Sequence, residues 1–253
     1  MYGSWVLVIL ILVSSLPVIA VYIWFRIAKY QFSLNRFFFA LLAGAAAFFP
    51  ALILQGLLPV SLTPGRAALF YDFFVRIAFT EEISRLLMLF IFFLISSKLK
   101  PPAGPGQLSY NAVKMGTAVG LVVGLGFSIL ENATYAASDI RVLLLRVVTA
   151  AAIHGACGSR VGAAAVMFRS NPIQALFRVF IATAIHGVYN IMVTIPGISS
   201  LAAVLLAASA FATAILAIKG GWTNDESAPN PANQGFSGEG SPPAAIDKGR
   251  ENQ

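Results

Sequence analysis

Residues 68–96 read ALFYDFFVRIAFTEEISRLLMLFIFFLIS. The run is apolar and long enough to cross about 30 Å of hydrocarbon as a helix. It also holds Glu81, Glu82 and Arg85 near its middle. Read as a spanning helix, it makes the chain an integral membrane protein with charge in its interior. The rest of the sequence repeats the pattern. Apolar runs over 5–27, 37–60, 114–137, 142–168, 173–195 and 198–218 give about seven spans in all. The expected fold is all-α, a polytopic transmembrane helical bundle over residues 1–219.

Composition agrees. Of the 253 residues, 58% are hydrophobic and 11% charged, against about 25% charged in an ordinary soluble domain. Mean hydropathy is +0.81. The net charge of +7 does not describe a nucleic-acid binder. The lysines and arginines are scattered in ones and twos between apolar runs, as loop charges at a membrane surface are. The single cysteine, Cys157, excludes an internal disulfide and a CxxC metal motif. Met1–Ser4 carry no Lys or Arg and the first apolar run reaches Ile27, which predicts a retained helix rather than a cleaved signal.

Charge also orients the chain. Arg26, Lys29 and Arg36 fall in one gap, Lys98, Lys100 and Lys114 in the next but one, Arg169 and Arg178 around a third, and Lys219 follows the last span. The alternate gaps are poorer, with Arg66 in one, and Asp139 and Arg141 in another. The positive-inside rule places the N-terminus outside and the C-terminus in the cytoplasm, as expected for a bacterial inner-membrane protein. The loop Pro101–Gly106 breaks the helical pattern. Residues 220–253 are rich in Gly, Pro, Ser and Asn and predict a disordered cytoplasmic tail.

Five of the ten acidic residues sit in that tail. Glu81, Glu82 and Glu131 fall inside spans, as do both histidines, His154 and His186. An ionised, unpaired acid at the centre of a spanning helix costs about 2.5–3.5 kcal/mol. These groups must therefore face one another, water or a cation. Spacing supports a shared interior. Arg85 is three and four residues from the glutamate pair, within pairing reach on one helix face. Gly116, Gly120, Gly124, Phe127 and Glu131 form a stripe. His154, Gly158 and Gly162 form a second, and Thr183, His186 and Asn190 a third. The repeated GxxxG lets a neighbouring helix approach closely. Cys157 reads as a small buried thiol. Asn132 and Asn190 also read as hydrogen-bond links between helices, and Asp72 and Asp139 as interfacial.

Two chemistries fit these residues. In one, a carboxylate of the pair activates water, a histidine gives a proton to a leaving amine, and Asn190 donates to a developing oxyanion. In the other, Glu131, His154 and His186 ligate zinc and leave a position open for water. Sequence alone does not choose between zinc and no cofactor.

The segments Glu81-Glu82-Ile83-Ser84-Arg85, Gly124-Leu125-Gly126-Phe127-Ser128-Ile129-Leu130-Glu131-Asn132, His154 and His186-Gly187-Val188-Tyr189-Asn190 together resemble the PrsW family of intramembrane proteases, related to the CAAX-protease and Abi membrane enzymes. The resemblance covers roughly residues 68–195. It implies a protease acting on single-pass or lipidated membrane proteins, with a link to regulated proteolysis of anti-sigma factors. By residue, it implies Glu81, Glu82, Glu131, His154 and His186 as the catalytic set, with Arg85, Asn190 and Asn132 in support. Arg85 stands where the family often has lysine. A proton-coupled transporter would also place carboxylates and histidines at the midplane, but no two related halves are visible. A non-catalytic scaffold keeping the motif for packing is the third reading.

Overall fold

The computed structural model describes residues 4–30, 32–61, 65–96, 110–136, 140–194 and 200–219. The loop at 101–106, Lys98, Lys100, Asp139 and the tail 220–253 lie outside the described residues. All regular structure among the described residues is helical. In chain order the α-helices are α1 (Ser4–Ser14), α2 (Leu16–Ile27), α3 (Leu34–Leu57), α4 (Arg66–Phe70), α5 (Thr80–Ile95), α6 (Tyr110–Ala136), α7 (Ile140–Val148), α8 (Ala150–Met167), α9 (Pro172–Thr194) and α10 (Ser200–Lys219), and a π-helical segment, Tyr71–Phe79, joins α4 to α5.

Five helices among the described residues are long and apolar enough to span a membrane: Val8–Ile27, Leu34–Leu57, Asn111–Thr134, Pro172–Thr194 and Leu201–Lys219. The two other expected spans, 68–96 and 142–168, are helical but not single regular rods. The first changes pitch, running from α4 through the π segment into α5. The second is broken at Thr149, between α7 and α8. These are also the two runs that carry Glu81, Glu82, Arg85 and His154. Polar residues lower their hydropathy, and burial inside the bundle replaces lipid as their surroundings.

The outer surface is apolar, with Phe38, Phe49, Leu94, Ile173 and Phe180 exposed. That is the expected surface for helices in contact with lipid, where apolarity does not separate inside from outside. What distinguishes the centre is small residues and polar groups. Helix α6 is the central rod, buried over most of its length, and it packs on α8 and α3. Small residues set these distances. A Cβ on Gly120 would overlap the Gly158 carbonyl, and one on Gly124 would overlap the carbonyl of His154. On the opposite face, Gly126 meets Leu41 and Gly44 meets Val123, backbone to backbone. Pro50 lies inside α3 without ending it, as membrane helices tolerate.

The π segment positions the glutamate pair. A wider turn leaves carbonyls poorly satisfied at its end, and local hydroxyls take them up. Thr80 Oγ1 lies 2.7 Å from the Arg76 carbonyl and 2.9 Å from that of Ile77, and Ser84 Oγ donates to the Thr80 carbonyl at 2.7 Å. On α9, Gly187 faces the ring of Phe74 from this segment. The close approach brings the π segment beside His186.

Candidate active site

Glu81 and Glu82 open α5, Glu131 lies near the end of α6, His154 is in the first turn or so of α8, and His186 is in the middle of α9. All five are buried. The imidazole centroids of His154 and His186 are 4.9 Å apart, edge to face. Four elements separated by up to 105 residues thus meet at one point.

Arg85 is the centre of this cluster and is fully buried. Its Nη2 donates to Glu82 Oε1 at 2.7 Å and lies 3.7 Å from Glu81 Oε2. Its Nε donates to the Glu81 carbonyl at 3.3 Å, and Nη1 to the His154 carbonyl at 3.3 Å. The guanidinium carbon sits 4.8 Å from the centroid of Phe127, a cation–π contact. A lysine ammonium could pair with Glu82 but could not span all of these partners.

Each histidine has a carboxylate on one ring nitrogen. His186 Nδ1 is 2.9 Å from Glu82 Oε1. An ionised carboxylate only accepts, so Nδ1 carries the proton and Nε2 keeps its lone pair. That Nε2 lies 3.6 Å from Glu81 Oε2. His154 Nε2 is in ion-pair contact with Glu131 Oε2, and its Nδ1 is buried without a hydrogen-bond partner. Glu131 is held in turn by Arg146, whose Nη2 lies 2.8 Å from Oε1. The same side chain donates from Nε to Asn132 Oδ1 at 3.1 Å.

The three carboxylates differ in how they are compensated. Glu82 has Arg85 and His186; Glu131 has Arg146 and His154. Among the described residues the Glu81 carboxylate has only a neutral donor at hydrogen-bond distance, Gln55 Nε2 at 3.1 Å from Oε1. Its Oε2 is buried without a hydrogen-bond partner. Ligand atoms from Glu81, His154 and His186 lie within 4.8 Å of one another. One carboxylate and two imidazoles, each imidazole backed by a second carboxylate, is an ordinary donor set for a catalytic metal with an open position. The orphaned Glu81 Oε2 and His154 Nδ1 are the atoms an ion would satisfy, so these residues fit one. The grouping differs from that expected from the sequence. Glu81 stands with the histidines, and Glu131 is on the far side of His154, held there by Arg146.

A model of the PrsW family intramembrane metalloprotease matches residues 33–218. The chain belongs to that family. It is a membrane peptidase, and the match covers all four elements of the cluster. No curated protein and no solved structure matches it.

The remaining sequence expectations divide within this PrsW-type site. Asn132 joins the cluster through Arg146. Asn190 is half-buried one turn beyond His186, and its amide makes no hydrogen bond among the described residues. Cys157 is buried, with Sγ donating to the Ala182 carbonyl at 3.3 Å. Two members were missed. Gln55 is a lone amide within an apolar run. Arg146 lies inside the apolar run 142–168, and a cation inside an apolar run is itself a signal of a buried partner.

Proposed function

We propose that the chain is an endopeptidase that cuts membrane-associated protein substrates at the Glu/His cluster, with Glu81, His154 and His186 holding a metal ion, of which zinc is the natural occupant. The observation that carries this is the convergence of ligand atoms from Glu81, His154 and His186 within 4.8 Å of one another in a buried cluster, with Glu81 Oε2 and His154 Nδ1 lacking a hydrogen-bond partner. When bound, such an ion acts as a Lewis acid that makes water nucleophilic at neutral pH.

The chain's own residues do the rest. Glu82 accepts a hydrogen bond from the Nδ1–H of His186 and so fixes the tautomer that turns Nε2 toward Glu81. Glu131 does the same work on Nε2 of His154. Arg85 and Arg146 pair with these two carboxylates and hold them in place behind the histidines. Gln55 anchors Oε1 of Glu81 and leaves Oε2 for chemistry. Asn190, one turn from His186, has a free amide to donate to the carbonyl of the scissile bond. The apolar exterior, open to lipid, suits single-pass or lipidated substrates, and regulated cleavage of anti-sigma-type factors is one such role. The basic gaps favour an N-out, C-in orientation in a bacterial inner membrane.

The test is a cleavage assay in detergent with a single-pass membrane substrate, comparing wild type with Glu81→Gln, Glu131→Gln and His186→Ala. Bound metal is measured in the same preparations by elemental mass spectrometry. The expectation is about one ion per chain in wild type, loss of the ion in His186→Ala, and loss of cleavage in all three variants. Folded variants that cleave like wild type would refute the site. Full cleavage after complete chelation would refute the metal and leave a carboxylate mechanism.

A further inference from the structure

A second polar feature lies away from the peptidase cluster, between α8, α9 and α10. Helices α8 and α9 form an antiparallel hairpin whose register is marked by the Cys157 Sγ contact with the Ala182 carbonyl. One turn farther toward the hairpin's connection, the same register puts Arg160 and Arg178 at one level on facing helices. Both are half-buried. Neither takes part in any ion pair among the described residues.

Arg160 is held in place rather than free to swing. Its Nη1 donates to the Ala156 carbonyl at 2.8 Å and its Nη2 to Thr213 Oγ1 on α10 at 2.7 Å. Arg178 Nε is buried without a hydrogen-bond partner. Two cations at one level on facing helices in a low-dielectric setting favour a shared counter-charge, and one of them keeps an unused buried donor.

Position narrows the chemistry of that counter-charge. Arg160 is seven residues before Met167 and Arg178 six residues after Pro172, which puts both about 10 Å inside the helix ends. That is within the reach of a snorkelling side chain from the headgroup level. They lie toward the end of the bundle where Arg36 near the start of α3 meets Met115 near the start of α6, and where Gly116 of α6 meets Gly162 of α8. Around them Phe177, Phe180 and Leu216 are exposed apolar side chains, suited to acyl chains and not to a hydrated ion. Basic pockets between spanning helices recognise anionic headgroups in this way.

We infer that Arg160, Arg178 and Thr213 form a binding site for the phosphate of an anionic phospholipid in the leaflet at that end of the bundle. The site is separate from the Glu/His cluster and does not depend on its chemistry. It ties α10, the last described helix, to the α8–α9 hairpin through a lipid.

Delipidated full-length protein in neutral detergent is titrated with phosphatidylglycerol or phosphatidylcholine, and bound lipid is counted by native mass spectrometry. Two arginines near the surface predict about fivefold weaker phosphatidylglycerol binding for Arg160→Gln or Arg178→Gln and about thirtyfold for the double variant. Phosphatidylcholine binding does not change. The double lysine variant keeps most of the affinity, because the charge remains. Thermal unfolding in lipid-free detergent verifies that each variant is folded. A folded double glutamine variant that binds phosphatidylglycerol like wild type overturns the site. Inorganic phosphate that raises the unfolding midpoint of wild type as much as phosphatidylglycerol does overturns the lipid assignment in favour of a soluble anion.

Discussion

His186 Nδ1 lies 2.9 Å from Glu82 Oε1, although 104 residues separate them in sequence. Because Arg85 Nη2 is 2.7 Å from the same oxygen, one carboxylate oxygen fixes both a cation and an imidazole tautomer. Glu82→Gln keeps the shape and removes the charge. Activity and metal affinity then fall together, by about 10–100-fold, as they do when a carboxylate behind a ligating histidine is lost. Circular dichroism keeps its helical signal. Equal metal affinity in wild type and variant would leave Glu82 with a packing role only.

Glu81 should behave in the opposite way toward stability. Among the described residues the nearest cation to its carboxylate is Arg85 at 3.7 Å, and that carboxylate's hydrogen bond comes from neutral Gln55. Glu81→Gln therefore removes a buried charge that is poorly compensated. Cleavage falls by at least about 100-fold, while the metal-free protein unfolds at the same temperature or a higher one. A marked drop in that midpoint would mean that Glu81 is a structural partner of Arg85 and not a reactive group.

For Arg85, stability and activity fall together. Arg85→Met leaves Glu82 buried without its cation, a loss of about 3–5 kcal/mol. Arg85→Lys restores the pair with Glu82 but not the reach to the His154 carbonyl, so it lies between wild type and Arg85→Met. Urea or thermal unfolding of the three proteins in one detergent gives the order. If lysine matches arginine, the contacts to the two backbone carbonyls contribute nothing.

Much of this is legible in the amino-acid sequence. A glutamate pair, a third glutamate and both histidines inside apolar runs cannot be placed without partners, so the sequence required that these five residues cluster, without naming Gln55 or Arg146. The close approach of α6 to α8 was legible from Gly116, Gly120 and Gly124. What could not be read was which glutamate stands with the histidines. A period of 3.6 residues does not carry across the π segment Tyr71–Phe79, so the rotation of Glu81 about its helix was hidden. Arg146 was hidden for another reason. It lies on α7, beyond a break at Thr149 that no proline or glycine announces, and its partner Glu131 is on a different element. The pitch change and the break also divide the two runs that sequence presented as uniform spans.

Gly124 tests whether the bundle geometry, and not only the polar residues, sets the site. A Cβ there would overlap the carbonyl of His154, the same carbonyl that accepts from Arg85 Nη1. Backbone cannot swing aside as a side chain can, so α8 must shift and carry His154 away from Glu131 and Arg85. Gly124→Ala is expected to cost about 1–3 kcal/mol and to lower activity and metal affinity as well. Gly120→Ala overlaps the Gly158 carbonyl one turn away and costs a similar amount of stability, with a smaller loss of metal affinity. Gly56→Ala is the control. Its Cβ would meet nothing within 4 Å, and alanine is favoured over glycine within a helix by up to about 1 kcal/mol, so stability holds or rises and activity is unchanged. Unfolding midpoints and metal titrations on the three variants decide the matter. Gly124→Ala with wild-type metal affinity would show that the α6–α8 contact carries no information to the site.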